Sequence, residues 1–189
     1  MHNIIEQAKG CRICQDILEP RPVFVVNPKA KLLIVGQAPG SKVHATGIPW
    51  NDPSGERLRD WMNLTREQFY RLPEIAILPA GFCYPGKGKS GDLPPPSICA
   101  ETWHAKLRAL MPDIELTLLI GMYAQNHYLG DSKKRTLTET VQAFDEYLAQ
   151  GFLPLPHPSP RNTLWLKRNQ WFEQGVVPQL RLRVKEMIK

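Results

Sequence analysis

Four short apolar runs punctuate the chain: Lys31–Val35, Ile75–Leu78, Glu115–Ile120 and Phe152–Leu155. Continuous apolar character over so few residues suits a strand buried on both faces, so the first two read as central strands of a sheet. Pro22–Val26 reads as a further, edge strand. The segments between carry helical signals. Ser54 reads as an N-cap, followed by Leu58, Trp61 and Met62 on one face. Thr65 with Gln68, and Thr136 with Glu139, make capping boxes, the second opening a helix over about residues 138–147. Ser97 or Pro96 starts a helix through Leu110, and Gly121–Leu129 is another. Thr163–Gln174 is amphipathic, and Gly175 and Pro178 set off a closing helix, Val177–Lys189. Strand and helix in alternation predict an α/β fold, a three-layer αβα sandwich around a four-stranded parallel sheet. The length of 189 residues fits one domain spanning 1–189.

In such sheets, ligands bind at the carboxyl ends of the strands. The loops 36–52, 79–89 and 157–162 all follow strands, so they converge on one rim. Gly36-Gln37-Ala38-Pro39-Gly40 has two glycines and no large side chain, which lets a ligand approach the backbone amides. It lacks the Lys-Ser/Thr of a P-loop and the spacing of a dinucleotide fingerprint. The loop Ser41–Asp52 carries His44, Thr46, Trp50, Asn51 and Asp52; Trp50, in polar surroundings, is either a loop anchor or a stacking platform. His157-Pro158-Ser159-Pro160-Arg161-Asn162 is stiffened by two prolines and presents an imidazole, a hydroxyl and a guanidinium together. A surface turn with a satisfied histidine is the plainer alternative.

The formal net charge of +6 favours a polyanionic partner. Lys87 and Lys89 flank the rim and could contact phosphate, whereas Lys133-Lys134-Arg135 reads as a solvated loop. No apolar run approaches the roughly 20 residues of a membrane span, and Met1–Glu6 lacks the features of a signal peptide. No membrane association and a cytoplasmic location are expected. Four cysteines in that compartment point to metal or redox chemistry rather than disulfides. Cys11 and Cys14 enclose two residues and Cys83 and Cys99 enclose fifteen, a pairing that suits a tetrathiolate centre of iron–sulfur or zinc.

These residues resemble the uracil-DNA glycosylase superfamily. His157–Asn162 is similar to its second motif, in wording closest to the single-strand-selective monofunctional branch, and Gly36–Gly40 sits where the first motif does. Thr46-Gly47-Ile48-Pro49-Trp50 is similar to the Thr-Gly-x-Pro-aromatic segment whose ring stacks on a flipped uracil. Cys11, Cys14, Cys83 and Cys99 resemble the [4Fe–4S] ligands of family 4 enzymes, zinc being the alternative. The resemblance spans about residues 11–165. It implies a monomeric DNA glycosylase acting on single- or double-stranded DNA. His157 would stabilise the departing base anion, with Asp52 and Gln37 as further catalytic candidates. Gly36, Ala38, Pro39, Gly40 and Trp50 would hold the base; Ser159 and Arg161, with Lys87 and Lys89, would contact DNA, Arg161 filling the gap left by the flipped nucleotide.

Three positions depart from the family pattern. Gln37 stands where family 4 has Glu, and Ala38 where several branches have Asn or Asp. Pro79 stands where an Asn reads the base edge, so the bidentate reading of uracil is missing. Asp52 could supply the missing carboxylate, ahead of Glu56, or be only a turn residue. Three functions remain open: a glycosylase with altered specificity; a weak or inactive DNA- or nucleobase-binding module on the same scaffold; and an unrelated nucleotide-binding protein, against which the cysteine spacing argues.

Overall fold

The computed structural model describes residues 2–188; Lys189, the predicted end of the last helix, lies outside them. The strands are β1 (Leu32–Val35), β2 (Ile75–Ile77), β3 (Lys87–Gly88), β4 (Gly91–Asp92), β5 (Leu116–Ile120) and β6 (Phe152–Leu155). The helices are α1 (His2–Lys9), α2 (Ser41–Thr46), α3 (Pro53–Met62), α4 (Arg66–Arg71), α5 (Ser97–Arg108), α6 (Met122–Leu129), α7 (Leu137–Gln142), α8 (Phe144–Leu148), α9 (Thr163–Arg168) and α10 (Val177–Met187).

Strands β2-β1-β5-β6 form the four-stranded parallel sheet, in that order. The alternation of side chains across a strand divides the core in two. Leu32, Ile34, Ile75, Ile77, Leu116 and Leu118 face α3, α4 and α10, through Leu58, Trp61, Phe69 and Leu180. Leu33, Val35, Ala76, Leu78 and Leu119 face α1, α5 and α6, through Ala8, Trp103, Leu107 and Ala124. A sheet covered on both faces is why the strands read as unbroken apolar runs. Pro154 is accommodated because β6 ends the sheet and pairs with β5 alone. Among the described residues, no helix is long and apolar enough to cross a membrane.

Several local expectations need correction. Strand β2 is terminal in the sheet rather than central, because sheet order is not encoded in an apolar run. The predicted edge strand at Pro22–Val26 reduces to one antiparallel bridge, Val25 to Ile77, on the outer side of β2. The loop after Gly40 contains α2, closed by Gly47 in the left-handed conformation at φ 70°. Helix α3 is capped by Asp52, not Ser54: its side chain accepts from the Gly55 N–H, and Pro53 takes the first helical position. The helix over 138–147 breaks at Ala143 into α7 and α8. Gly175 does not separate two helices, since a π-helical stretch, Phe172–Val176, runs directly into α10. Both capping boxes form as read.

Candidate active site

A cavity of about 420 Å³ opens at the carboxyl ends of the strands. Gly36–Gly40 leaves β1, Pro79 follows β2, and His157 follows β6; all line it, with Trp50, Asp52, Ser159 and Arg161. The rim predicted from the sequence therefore forms. The carbonyls of Gly36 and Gln37 accept from Ala80 and Gly81, both at 2.9 Å, which fixes the turn to the segment after β2. The N–H groups of Gln37 and Ala38 have no acceptor among the described residues, so they remain for a ligand.

Trp50 is held in the left-handed region at φ 58°, a conformation disfavoured for a bulky side chain. Its carbonyl accepts from Arg59 at 3.1 Å. Gly55 packs so tightly beneath that a Cβ there would lie 1.8 Å from the same oxygen. Tyr70 donates to the Pro49 carbonyl at 2.9 Å, and Arg66 to Asn51 at 2.7 Å. The loop is thus fastened from α3 and α4, and it lays the indole over Gly36, where a Cβ would stand 2.8 Å from Trp50 Cζ2. Both Trp50 and His157 line the cavity, and their ring centroids are 5.9 Å apart, tilted by 34°.

His157 is set by its own loop. Asn162 donates to the His157 carbonyl at 2.8 Å. Arg57, from α3, donates to the Ser159 carbonyl at 2.9 Å and to the Thr163 hydroxyl at 3.4 Å. Neither ring nitrogen of His157 has a protein partner among the described residues, so its N–H is free to donate to a bound molecule. Burial pushes the imidazole below its usual value, and the carboxylates of Asp52 and Asp92 oppose that shift. The ring is therefore neutral near pH 7 and suited to hydrogen-bond donation.

Asp52 lines the cavity and also works as a cap, taking the Gly55 N–H on Oδ1 at 2.8 Å. Arg161 donates to the Ser90 carbonyl at 3.1 Å. That carbonyl lies in the β3–β4 hairpin, which brings Ser90, Gly91 and Asp92 into the cavity wall and leaves Lys87 and Lys89 exposed outside. Pro79 adds no side-chain hydrogen bond, and its carbonyl is occupied by His104 Nε2 at 3.0 Å. His104 is buried; its other nitrogen meets the Tyr128 hydroxyl at 2.9 Å. A carbonyl only accepts, so the His104 proton sits on Nε2 and Tyr128 donates to Nδ1. Burial pushes His104 down to about 4 and Tyr128 up to about 12.

Arg57, Asp92 and His104 are the site residues that sequence reasoning missed. An arginine on an exposed-looking helical turn, an aspartate in a polar loop and a histidine amid an amphipathic helix carry no local signal. Only the Asp-Pro pair, with proline favoured at the first helical position, could have located the cap of α3.

Behind the rim, Cys11, Cys14, Cys83 and Cys99 line one second cavity, together with Phe82, Trp103, Ile13 and Leu18. All four are free thiols. Trp103 Nε1 donates to Cys11 Sγ and the Phe82 N–H to Cys99 Sγ, each at 3.3 Å. Burial pushes Cys99 up to about 12 and raises Cys14 and Cys83, and the other cysteines add to each of these shifts. Among the described residues, no three metal-binding side chains close tightly around a single ion. The free space among the four sulfurs is small, about 20 Å³.

Comparison with known proteins gives two findings. The model of the uracil DNA glycosylase superfamily matches residues 23–181, a span that includes Cys83, Cys99 and the whole rim but begins after Cys11 and Cys14. A type-4 uracil-DNA glycosylase of Thermotoga maritima is 25% identical over 162 residues, covering 84% of this chain and 81% of that protein.

Proposed function

Because the chain belongs to the uracil DNA glycosylase superfamily, whose enzymes hydrolyse N-glycosyl bonds in DNA, we propose that it excises a flipped, damaged or deaminated base. The observation that carries this reading is that Trp50 and His157, neighbouring rings with centroids 5.9 Å apart, line one cavity together with the Gly36–Gly40 turn. A planar base entering there can stack on the indole while the free imidazole N–H reaches a base oxygen. As the glycosidic bond breaks, that oxygen gains negative charge, and a donor already aimed at it stabilises the departing anion. Loss of one such donor costs about 2.7–4 kcal/mol in comparable sites. The free amides of Gln37 and Ala38 supply further donors to the same space. Asp52 offers negative charge towards the sugar, where positive charge develops, or positions a water.

Arg161, Ser159, Lys87 and Lys89 are the proposed DNA contacts, on a chain of net charge +6. Phosphate contact of that kind makes affinity fall with salt. The four cysteines are proposed to hold a [4Fe–4S] cluster: four thiols lining one cavity, with N–H donors to two of the sulfurs, suit an anionic thiolate cluster. A cube of four irons also needs its ligands spread wider than zinc does. The cluster would be structural, joining the N-terminal segment to the 83–99 segment, with no role in bond cleavage.

Specificity follows from what the cavity lacks. Pro79 cannot donate to or accept from a base through its side chain, so uracil is expected to be a poor substrate. The same feature supports the second reading, a module that binds nucleobases or DNA and cleaves slowly or not at all. Excision assays on single- and double-stranded oligonucleotides carrying uracil, hypoxanthine, xanthine and oxidised pyrimidines separate the two. Release of any base that disappears in His157→Ala establishes the glycosylase; binding without release from any substrate establishes the module.

A further inference from the structure

We propose that Asp92 reads the hydrogen-bonding edge of the flipped base, and that the cavity therefore favours bases presenting an amino group over their oxo counterparts. The inference rests on the glycosylase reading for the location of the base, and it names which bases that site takes.

Few polar groups in the cavity are left free. Pro79 has no side-chain donor, and its carbonyl is taken by His104. Asp52 commits Oδ1 to the helix cap. The Ser90 carbonyl is taken by Arg161. Asp92 Oδ2 has no hydrogen-bond partner among the described residues, and it faces the first turn, 3.7 Å from where a Cβ on Gly40 would stand. Its other oxygen accepts only a long bond, 3.4 Å, from the Tyr84 hydroxyl. Asp92 lines the same cavity as Gly36, Trp50 and His157, and its charge is felt at His157.

The hairpin that carries Asp92 is held in place. Its tip contacts the His157 loop through Arg161, where a Cβ on Gly91 would lie 2.5 Å from the guanidinium nitrogen. Gly91 itself sits at φ 147°, which strains any side-chain-bearing residue. The hairpin backbone therefore sets Asp92 at the mouth of the cavity, where its side chain is exposed.

An ionised carboxylate accepts hydrogen bonds and cannot donate. Set against a base carbonyl it is repelled; set against an exocyclic amino group it forms a charge-assisted hydrogen bond. Because Asp92 is exposed, water satisfies its carboxylate when no base is bound, and the discrimination comes from repulsion of the oxo edge against attraction of the amino edge. Asparagine at the same position keeps the shape and restores a donor, so it should accept the oxo base.

The test uses two single-stranded oligonucleotides identical except for one base, 5-hydroxycytosine or 5-hydroxyuracil, which differ in an amino against an oxo group. The wild-type protein and Asp92→Asn are compared by kcat/KM for excision. Their His157→Ala counterparts are compared by fluorescence anisotropy, which reads binding without turnover. The wild type should prefer the amino base by about tenfold or more, and Asp92→Asn should abolish or invert the preference. Excision with the same ratio in both proteins overturns the role of Asp92 while leaving the glycosylase standing. A binding preference that Asp92→Asn erases, without excision of any base, upholds Asp92 and overturns the glycosylase. Without excision of either base, equal or absent binding of the two oligonucleotides by the His157→Ala protein that retains Asp92 overturns the inference.

Discussion

The guanidinium of Arg57 reaches the Ser159 carbonyl at 2.9 Å, across 102 positions of sequence. One end of α3 carries Trp50 and Asp52, and the loop at Ser159 carries His157, so this bond sets the spacing of the two rings. Hydrogen bonds from a charged donor contribute about 1.5–3 kcal/mol. Arg57→Ala should lower kcat about tenfold or more with little change in KM, because His157 acts only as the bond breaks. Arg57→Lys, able to reach one of the two acceptors, should recover part of it. A variant whose kcat is unchanged, measured by single-turnover excision, removes Arg57 from the positioning of His157.

Asp52 has two separable jobs. Asparagine caps a helix about as well as aspartate, whereas loss of the cap costs about 1 kcal/mol. Asp52→Asn should keep the melting temperature and lose activity to a degree between Gln37→Ala and His157→Ala. Asp52→Ala should lose both stability and activity. Full activity in Asp52→Asn would leave the aspartate as a cap alone and pass water positioning to the 36–40 turn.

Gly36→Ala should act as a displaced ring. The added methyl would stand 2.8 Å from Trp50 Cζ2, so the indole or the turn must move. Overpacking of this kind costs about 1–3 kcal/mol. The variant should fold, with a lowered melting temperature, shifted tryptophan fluorescence and excision reduced at least as far as in Trp50→Ala. Unchanged fluorescence and activity would mean that the ring has another resting place.

Acid should destabilise the protein through His104. Its folded value of about 4 lies below the ordinary 6.5, so the unfolded chain binds the proton first. The stability that neutral His104 contributes is complete above pH 6.5 and lost as pH falls towards 4, on the order of 3 kcal/mol in all. His127 and His157 shift in the same direction. Urea melts of the wild type between pH 7 and pH 4 should show this loss, and His104→Gln, with no group to titrate there, should show a shallower one. Parallel curves would assign the acid sensitivity to other groups.

Anaerobically purified protein should be brown and contain about four irons per chain, the content of one such cluster. Cys99→Ser should bleach it and loosen the 83–99 segment, seen as faster hydrogen exchange there. Stoichiometric zinc in a colourless, fully folded protein would replace the cluster by a single ion.

The sheet was legible because burial on both faces leaves apolar runs at 32–35 and 118–120, and the rim followed from the strands. Trp50, His157 and the turn at Gly36 could be placed together for that reason alone. The terminal place of β2 was not legible, since a strand's neighbours are chosen by the whole fold. Nor was the hairpin at Lys87–Asp92: its residues are polar and glycine-rich, and what holds it is Arg161, from far along the chain. Arg57 and His104 were hidden likewise, each looking like an ordinary helix residue until its distant acceptor carbonyl is in view.

The proline at 154 has a consequence beyond its own strand. Carbonyls at Gly151 and Leu155 bond to β5 through the Thr117 and Gly121 N–H groups, so odd-numbered residues of this segment face inward along the ladder. Even-numbered ones face out, and of 152, 154 and 156 only Phe152 has an N–H to offer there, since Pro154 and Pro156 have none. At the opposite border of the sheet, Val25 already occupies the outward groups of Ile77. Neither border presents the row of free donors on which another copy could lay a strand. Crowded and concentrated, such a protein is guarded against stacking into fibres by the same short string that leads into His157.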